Sequence, residues 1–428
     1  MFLEMKSTVL TRLVRSLISP GDKYTFTSSS RFENHQNDGA GLYLHIPFCT
    51  CMCPYCPYYK VHYDPALAKD FQNALLSEID LHAREFGRSR FSSLYIGGGT
   101  PTLMTEELGQ IIDRISLAFD LNGCIAVETT PADITRRKTR LLKKIGVSYI
   151  SLGVQSYQEK NLALLGRQYD PSTARQTAQD ISESGFVNYN IDLIFALPGE
   201  TQHDLEADLF AAVECSPDQI TCYPLFTFPY TTVGKYKKLR RLRMPSLAVR
   251  RRMYYFVHEF LESNGYKRSS VWSFVRSNKP HYSSVTRDYY VGFGPSAASY
   301  TGEGFYFNTF SIADYIKMIA RRRPVALKMH VTERMKKIFW LYWRLYETRI
   351  PYAKYQTLFG NNIYEDFGSL LTGIKLLGMH EREDKHGLIL NVKGCHWIHL
   401  AQNYYALNYV SKIWSVCQSE PWPERIPL

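Results

Sequence analysis

Cys49, Cys53 and Cys56 stand in a C-x3-C-x2-C spacing within the segment Leu42–Cys56. Three thiolates this close can hold three irons of a cubane iron–sulfur cluster, leaving the fourth iron open to a chelating ligand. Structural zinc is the competing reading. It needs a second ligand pair, and the next cysteine, Cys124, is alone, with no C-x2-C or H-x3-H after it. A disulfide framework suits neither a long chain nor an odd total of nine cysteines. Cys51 reads as a spare thiol inside the triad, and Cys124, Cys215, Cys222, Cys395 and Cys417 as ordinary buried or half-buried residues.

Around the triad the chain alternates short apolar runs with amphipathic stretches. Strands are expected at Leu42–Ile46, Ser93–Ile96, Ile125–Glu128, Tyr149–Gly153, Tyr189–Ile194 and Asp218–Tyr223. Between the first two, Leu67, Phe71, Leu75 and Ile79 recur every fourth residue, one helix face. Strand–helix alternation predicts a parallel α/β sheet, and periodicity alone leaves flat sheet and partial barrel both open. The division expected is 1–40 N-terminal helix and linker, 41–230 core, 231–325 core extension, and 326–428 a C-terminal domain with an aromatic tail. In that last part, helices are expected at Lys336–Tyr346, Tyr352–Phe359 and Tyr364–Leu377, and a hairpin near Met379–Asn391. Met1–Pro20 is basic and amphipathic. It reads as a docking helix and lacks the continuous apolar region of a signal peptide.

Further motifs lie where these strands end. Gly97-Gly98-Gly99-Thr100-Pro101 follows the second strand, and glycines allow close approach of backbone N–H groups to an anion. Glu128 ends the third strand, Gln155 the fourth and Asp192 the fifth. Arg167 lies twelve residues beyond Gln155 and offers a bidentate fork for a carboxylate. The triad, its flanking Tyr43-x-His45-Ile-Pro-Phe48 and these motifs, in this order, resemble the radical S-adenosylmethionine (SAM) superfamily. Within it the resemblance is to the group of oxygen-independent coproporphyrinogen III oxidase, the related heme chaperones and the two-SAM methylases.

The resemblance implies a partial (β/α)6 barrel followed by a small winged-helix-like domain. It implies a [4Fe-4S] cluster on Cys49, Cys53 and Cys56. It places a first SAM at Tyr43, Gly98, Gly99, Thr100 and Glu128, and a second at Tyr55, Gln155, Arg167 and Asp192. His45 is expected to shape the cluster loop, and His45, Glu128 and Arg167 are the residues expected to act in the chemistry. The chain also departs from its group. The oxidase carries one more cysteine two residues past the triad, where this chain has Tyr58. The chaperones carry His-Asn-x-x-Tyr-Trp where this chain has His281-Tyr-Ser-Ser-Val-Thr. Two-SAM C-methylation or remodelling of a tetrapyrrole or other planar unsaturated substrate is therefore expected, with oxidative decarboxylation and heme carriage as alternatives.

A net charge of +11 suits an acidic partner, here a small-molecule substrate, possibly a tetrapyrrole. Lys235–Arg252, with nine basic residues, reads as a solvated face. Nucleic acid is not expected: the helix Tyr364–Leu377 carries Lys375 beside Glu365 and Asp366, a poor groove reader. No apolar run is long enough to span a membrane. Reduced thiols and an oxygen-labile cluster point to the cytoplasm, with a flavodoxin- or ferredoxin-like electron donor.

Overall fold

The computed structural model describes residues 24–33, 39–281, 283, 288–321 and 323–428; the expected helix Met1–Pro20 and part of the linker lie outside them. Six strands form the core: β1 (Ala40–Ile46), β2 (Arg90–Gly98), β3 (Asp120–Thr129), β4 (Tyr149–Gln155), β5 (Asn188–Phe195) and β6 (Gln219–Pro224). They pair in sequence order and all in parallel. The first five contain the segments expected to be strands, and the sixth, expected at Asp218–Tyr223, begins one residue later. They are apolar on the face turned to the helices: Leu42, Leu44 and Ile46 of β1 are essentially inaccessible. Each such side chain contributes about 1.5–3 kcal/mol by burial. Parallel pairing requires a crossover between strands, and helices supply it at Pro65–Phe86, Thr105–Ala118, Arg136–Lys144, Pro171–Ser182 and Gln202–Glu214.

Local sequence fixes where these helices start. Asp64 caps the first by accepting from the Leu67 N–H, with Pro65 in the first turn. Thr201 and Asp204 form a reciprocal capping box at Gln202–Glu214. Of the expected stripe on the first helix, Phe71, Leu75 and Ile79 are fully buried, while Leu67 sits half-buried at the edge.

The sheet stays open and grows at both edges. Ser273–Arg276 pairs antiparallel with β6, and Tyr266–Arg268 pairs beyond it. At the other edge Tyr290–Phe293 pairs parallel with β1. An antiparallel series follows: Ala298–Tyr300, Gly304–Asn308, Val325–His330, Thr25–Ser28 and finally Arg425–Pro427. The C-terminal strand thus ends the sheet against Thr25–Ser28, the first strand described. Between these, helices run over Glu333–Tyr346, Tyr352–Phe359 and Ile363–Leu376. A hairpin of His380–Asp384 and Gly387–Leu390 takes Arg349–Pro351 as a third strand. Helices Val392–Tyr405 and Ser411–Ser419 follow, joined by one π-helical turn at Ala406–Val410. Among the described residues no helix is long and apolar enough to cross a membrane.

Candidate active site

The triad lies on a loop closed at its neck. Phe48–Cys49 pairs with Val61–His62, and the N–H groups of Val61 and Tyr63 donate to Pro47 O (2.7 Å) and Cys49 O (3.0 Å). Inside the loop Lys60 Nζ donates to Cys56 O at 3.1 Å. The glycine-rich turn after β2 braces it from below. Gly99 N–H donates to Ile46 O (2.8 Å) and Thr100 N–H to Phe48 O (2.7 Å), while Gly98 N–H donates to Glu128 Oε2 (3.1 Å). All three N–H groups are satisfied within the chain, so the turn holds the cysteine loop. Gly98 adopts φ +117°, and a Cβ there would meet the His45 ring at 2.7 Å.

His45 is buried between two partners. Its Nε2 lies 3.0 Å from Tyr59 O, and its Nδ1 lies 2.8 Å from the Tyr43 hydroxyl. A carbonyl only accepts, so Nε2 carries the proton and Nδ1 accepts from Tyr43. Burial lowers its pKa to about 4, which keeps the imidazole neutral. The residue ties β1 to Tyr59, on the far side of the cysteine loop.

Burial raises the thiol pKa values of all three triad cysteines, Cys49 to about 11. Lys60 opposes the rise at each, and Arg167 opposes it at Cys53. The free thiols are protonated, and two fixed cations wait beside the sulfurs for the thiolates that iron would create. Among the described residues no three His, Cys, Asp or Glu side chains converge as ligands of one ion would. A cubane gives each thiolate its own iron, so it needs no such convergence. Cys51 lies beside Cys53, and its Sγ donates to Gly166 O at 2.9 Å.

Two polar groups flank the loop. The first comprises Tyr43, His45, Gly98 and Glu128, and lines a cavity of about 890 Å³. Glu128 Oε1 accepts a hydrogen bond from the Tyr95 hydroxyl. Burial, reinforced by nearby Asp192, pushes the Glu128 pKa up to about 7 against those hydrogen bonds. The second group gathers Tyr55, Gln155, Arg167 and Asp192 at the ends of β4 and β5. Arg167 Nη2 donates to Tyr55 Oη at 2.6 Å, and Asp192 accepts from Ser151 (2.8 Å) and Asn190 (2.9 Å). Gln155 takes φ +71° at an irregularity in the β4–β5 register, and its Oε1 accepts from Tyr223 at 3.3 Å. Such a backbone conformation is costly for a non-glycine residue and marks a constrained site. Arg167 Nε is buried without a hydrogen-bond partner, an unspent donor next to Cys53.

The core strands supply one side of the cavity, and the facing wall comes from beyond the core. Phe339, Tyr342 and Trp343 reach it from the helix Glu333–Tyr346, and Tyr405, Tyr409 and Trp414 from the last two helices and the π-helical turn. Trp414 packs on Tyr58 (centroids 5.6 Å apart) and stacks on Phe228. His281 also lines the cavity; the residues that follow it, 282 and 284–287, lie outside the described set. Sequence reasoning assigns no role to Tyr95 or Lys60, and places Trp414 only in an aromatic tail. Tyr95 could have been given one, since it shares a strand parity with Gly97 at the end of β2. Trp414 carried no such signal.

A three-cysteine loop at the C-terminal mouth of an open, six-stranded parallel barrel, braced by a glycine turn and an acid, defines a radical SAM protein. A model of the radical SAM superfamily matches residues 43–212. Beyond that domain the chain is similar to members of the oxygen-independent coproporphyrinogen III oxidase-like family. Its curated relatives include the heme chaperone HemW of Bacillus subtilis, 29% identical over 65% of this chain and 76% of the relative. HemW of Mycobacterium tuberculosis is 28% identical over 65% and 74%. HemW of Escherichia coli is 32% identical over 45% and 52%. Among solved structures, the coproporphyrinogen III oxidase HemN of Escherichia coli superposes with a TM-score of 0.75 at 21% identity. That match covers 88% of this chain and 94% of HemN, and shows the same fold. The family's cofactors are a [4Fe-4S] cluster and SAM, and the cation-flanked triad and the orphaned Arg167 Nε fit them.

Proposed function

We propose that this protein is a radical SAM enzyme that methylates or otherwise remodels a planar, unsaturated substrate of tetrapyrrole size. The observation that carries this reading is the aromatic cavity of about 890 Å³, which opens onto Gly98 and Glu128 beside the cysteine loop. A volume near the top of the usual ligand-site range suits one large flat molecule. When bound, cluster and SAM supply a carbon-centred 5′-deoxyadenosyl radical able to take a hydrogen atom.

The chain's own residues position the partners and exclude water. Cys49, Cys53 and Cys56 hold the cluster. Tyr43, Gly98 and Glu128 hold the SAM nearest it, with Gly99 and Thr100 bracing the cysteine loop beside it, and ionised Glu128 suits an ammonium or a ribose diol. Arg167 has an unspent donor for a carboxylate, and with Tyr55, Gln155 and Asp192 it forms a second polar nest, suited to a second SAM as methyl source. His45, neutral and bonded on both nitrogens, fixes the loop and exchanges no proton near neutral pH. Tyr58, where the oxidase carries a cysteine, argues against decarboxylation. Heme carriage is the second reading, favoured by the names of the curated relatives. A flavodoxin- or ferredoxin-like donor and a cytoplasmic setting follow from the cluster's need for electrons and protection from oxygen.

The test is anaerobic turnover of reconstituted protein with SAM, dithionite and a panel of porphyrinogens and heme, read by mass spectrometry. 5′-Deoxyadenosine with S-adenosylhomocysteine and a methyl-shifted product is the expected result. Loss of carbon dioxide would return the oxidase reading. Tight heme binding without product would favour carriage.

A further inference from the structure

The arginines at the end of the exposed basic segment Lys235–Arg252 also border a cleft. Arg250, Arg251 and Arg252 line a second cleft of about 590 Å³, between the helices Leu247–Ser263 and Val392–Tyr405. Its floor reaches Phe195 and Pro224 at the ends of β5 and β6. None of the residues that line it lines the central cavity.

The cleft combines flat apolar walls, fixed positive charge and one unspent polar atom. Tyr254, Tyr255 and Trp397 supply the aromatic surface. Arg251 already lies over the Tyr255 ring, 5.4 Å from its centroid. His396 and His399 both line the cleft and are 7% and 5% exposed. His399 Nδ1 is buried with no hydrogen-bond partner, a costly state that a ligand would relieve. Burial, together with Arg250 beside both rings and Arg251 beside His396, holds both imidazoles far below their usual pKa, so both are neutral. One acidic residue, Glu259, lies on the rim. Aromatic walls accept a ring by stacking, and an arginine cluster accepts an anion. Convergent polar groups in a cleft of this size are what a ligand site requires.

We propose that this cleft is a second ligand site, separate from the radical site, that binds a planar ring carrying a phosphate or carboxylate. The ring lies against Trp397 and the tyrosines, the anion meets Arg250 and Arg251, and a polar ring atom occupies His399 Nδ1.

The test is equilibrium binding to the full cluster-loaded chain under anaerobic conditions. Flavin mononucleotide is the ring–phosphate probe, mesoporphyrin IX the ring–carboxylate probe, and riboflavin the uncharged control. Binding of at least one anionic probe is expected, weakened at least tenfold in Arg250→Ala/Arg251→Ala, with riboflavin at least tenfold weaker than flavin mononucleotide if the phosphate is what counts. Arg-dependent binding of the flavin identifies a phosphate ligand, and of the porphyrin a carboxylate ligand. His399→Leu, which keeps the arginines, is expected to loosen the same probe several-fold. If neither probe binds, or if binding is indifferent to the two arginines, the proposal is overturned. The arginine side chains reach the surface, so their removal leaves the fold intact.

Discussion

Gly99→Ala probes whether the glycine turn is the brace of the cysteine loop. A Cβ at position 99 would stand 2.4 Å from Phe48 O, 2.9 Å from Phe48 C and 3.0 Å from Cys49 Sγ. The nearest of these atoms belong to backbone, which cannot rotate away. Reaching ordinary contact at 3.4 Å needs a displacement of about 1 Å between the turn and the segment Phe48–Cys49. That displacement breaks the bonds from Gly99 N–H to Ile46 O and from Thr100 N–H to Phe48 O. Two buried hydrogen bonds at about 0.5–1.5 kcal/mol each, with about 1–3 kcal/mol of overpacking, give a loss of about 2–6 kcal/mol. The same shift carries Cys49 Sγ out of register with Cys53 and Cys56. Urea denaturation of the metal-free protein and iron content after anaerobic reconstitution are the assays; a lower midpoint and loss of most of the iron are expected. Gly109→Ala is the control, since its Cβ meets only Ile145 Cγ2 at 3.4 Å inside a helix. There alanine gains about 0.5–1 kcal/mol. If Gly99→Ala unfolds at the wild-type urea concentration and takes up full iron, the brace does not exist and this reasoning fails.

Three other perturbations have definite outcomes. Burial raises Glu128 to about 7, so the folded chain keeps a proton that the unfolded chain has released. That stabilisation is present below the unfolded pKa near 4.5 and is lost as pH rises through about 7, some 3 kcal/mol by linkage. The metal-free protein should lose stability across that window, and Glu128→Gln should flatten the loss; an unchanged pH profile in the variant contradicts the assignment. Glu78→Ala strips one carboxylate from three buried donors, Gly294 N–H (2.8 Å), Asn308 Nδ2 (3.0 Å) and Tyr315 Oη (2.6 Å). Calorimetry should show a loss of about 3–5 kcal/mol, since the orphaned donors stay buried. Cys51→Ser keeps a donor to Gly166 O and should retain iron on reconstitution, whereas loss of iron would make Cys51 a ligand.

Much of the core was legible because its signals are local. Each strand of the barrel announces itself as an apolar run, and the crossover Pro65–Phe86 shows both its cap and its apolar stripe. The triad and the strand-end motifs needed no tertiary knowledge beyond their order along a barrel. The glycine turn was legible in position but not in use. Its N–H groups look free in the sequence, and only the structure shows them committed to Ile46, Phe48 and Glu128. The cavity wall was not legible at all. Trp414 comes within reach of Tyr58 across 356 residues of chain, and no periodicity encodes that contact. The basic segment is solvated, as its charge run suggests, but the cleft that its last arginines line was not legible. Arg250 and Arg251 are set against aromatic rings and buried histidines supplied by a helix about 145 residues later. Long-range packing decides both cases.

The most direct test of the radical SAM account is SAM cleavage by the anaerobically reconstituted chain with dithionite, alongside Cys53→Ala prepared identically. The account predicts 5′-deoxyadenosine and methionine from the wild type, with a reduced-cluster electron paramagnetic resonance signal that shifts when SAM is added, and neither from the variant. Equal cleavage by Cys53→Ala, or a wild-type cluster whose signal ignores SAM, would contradict it.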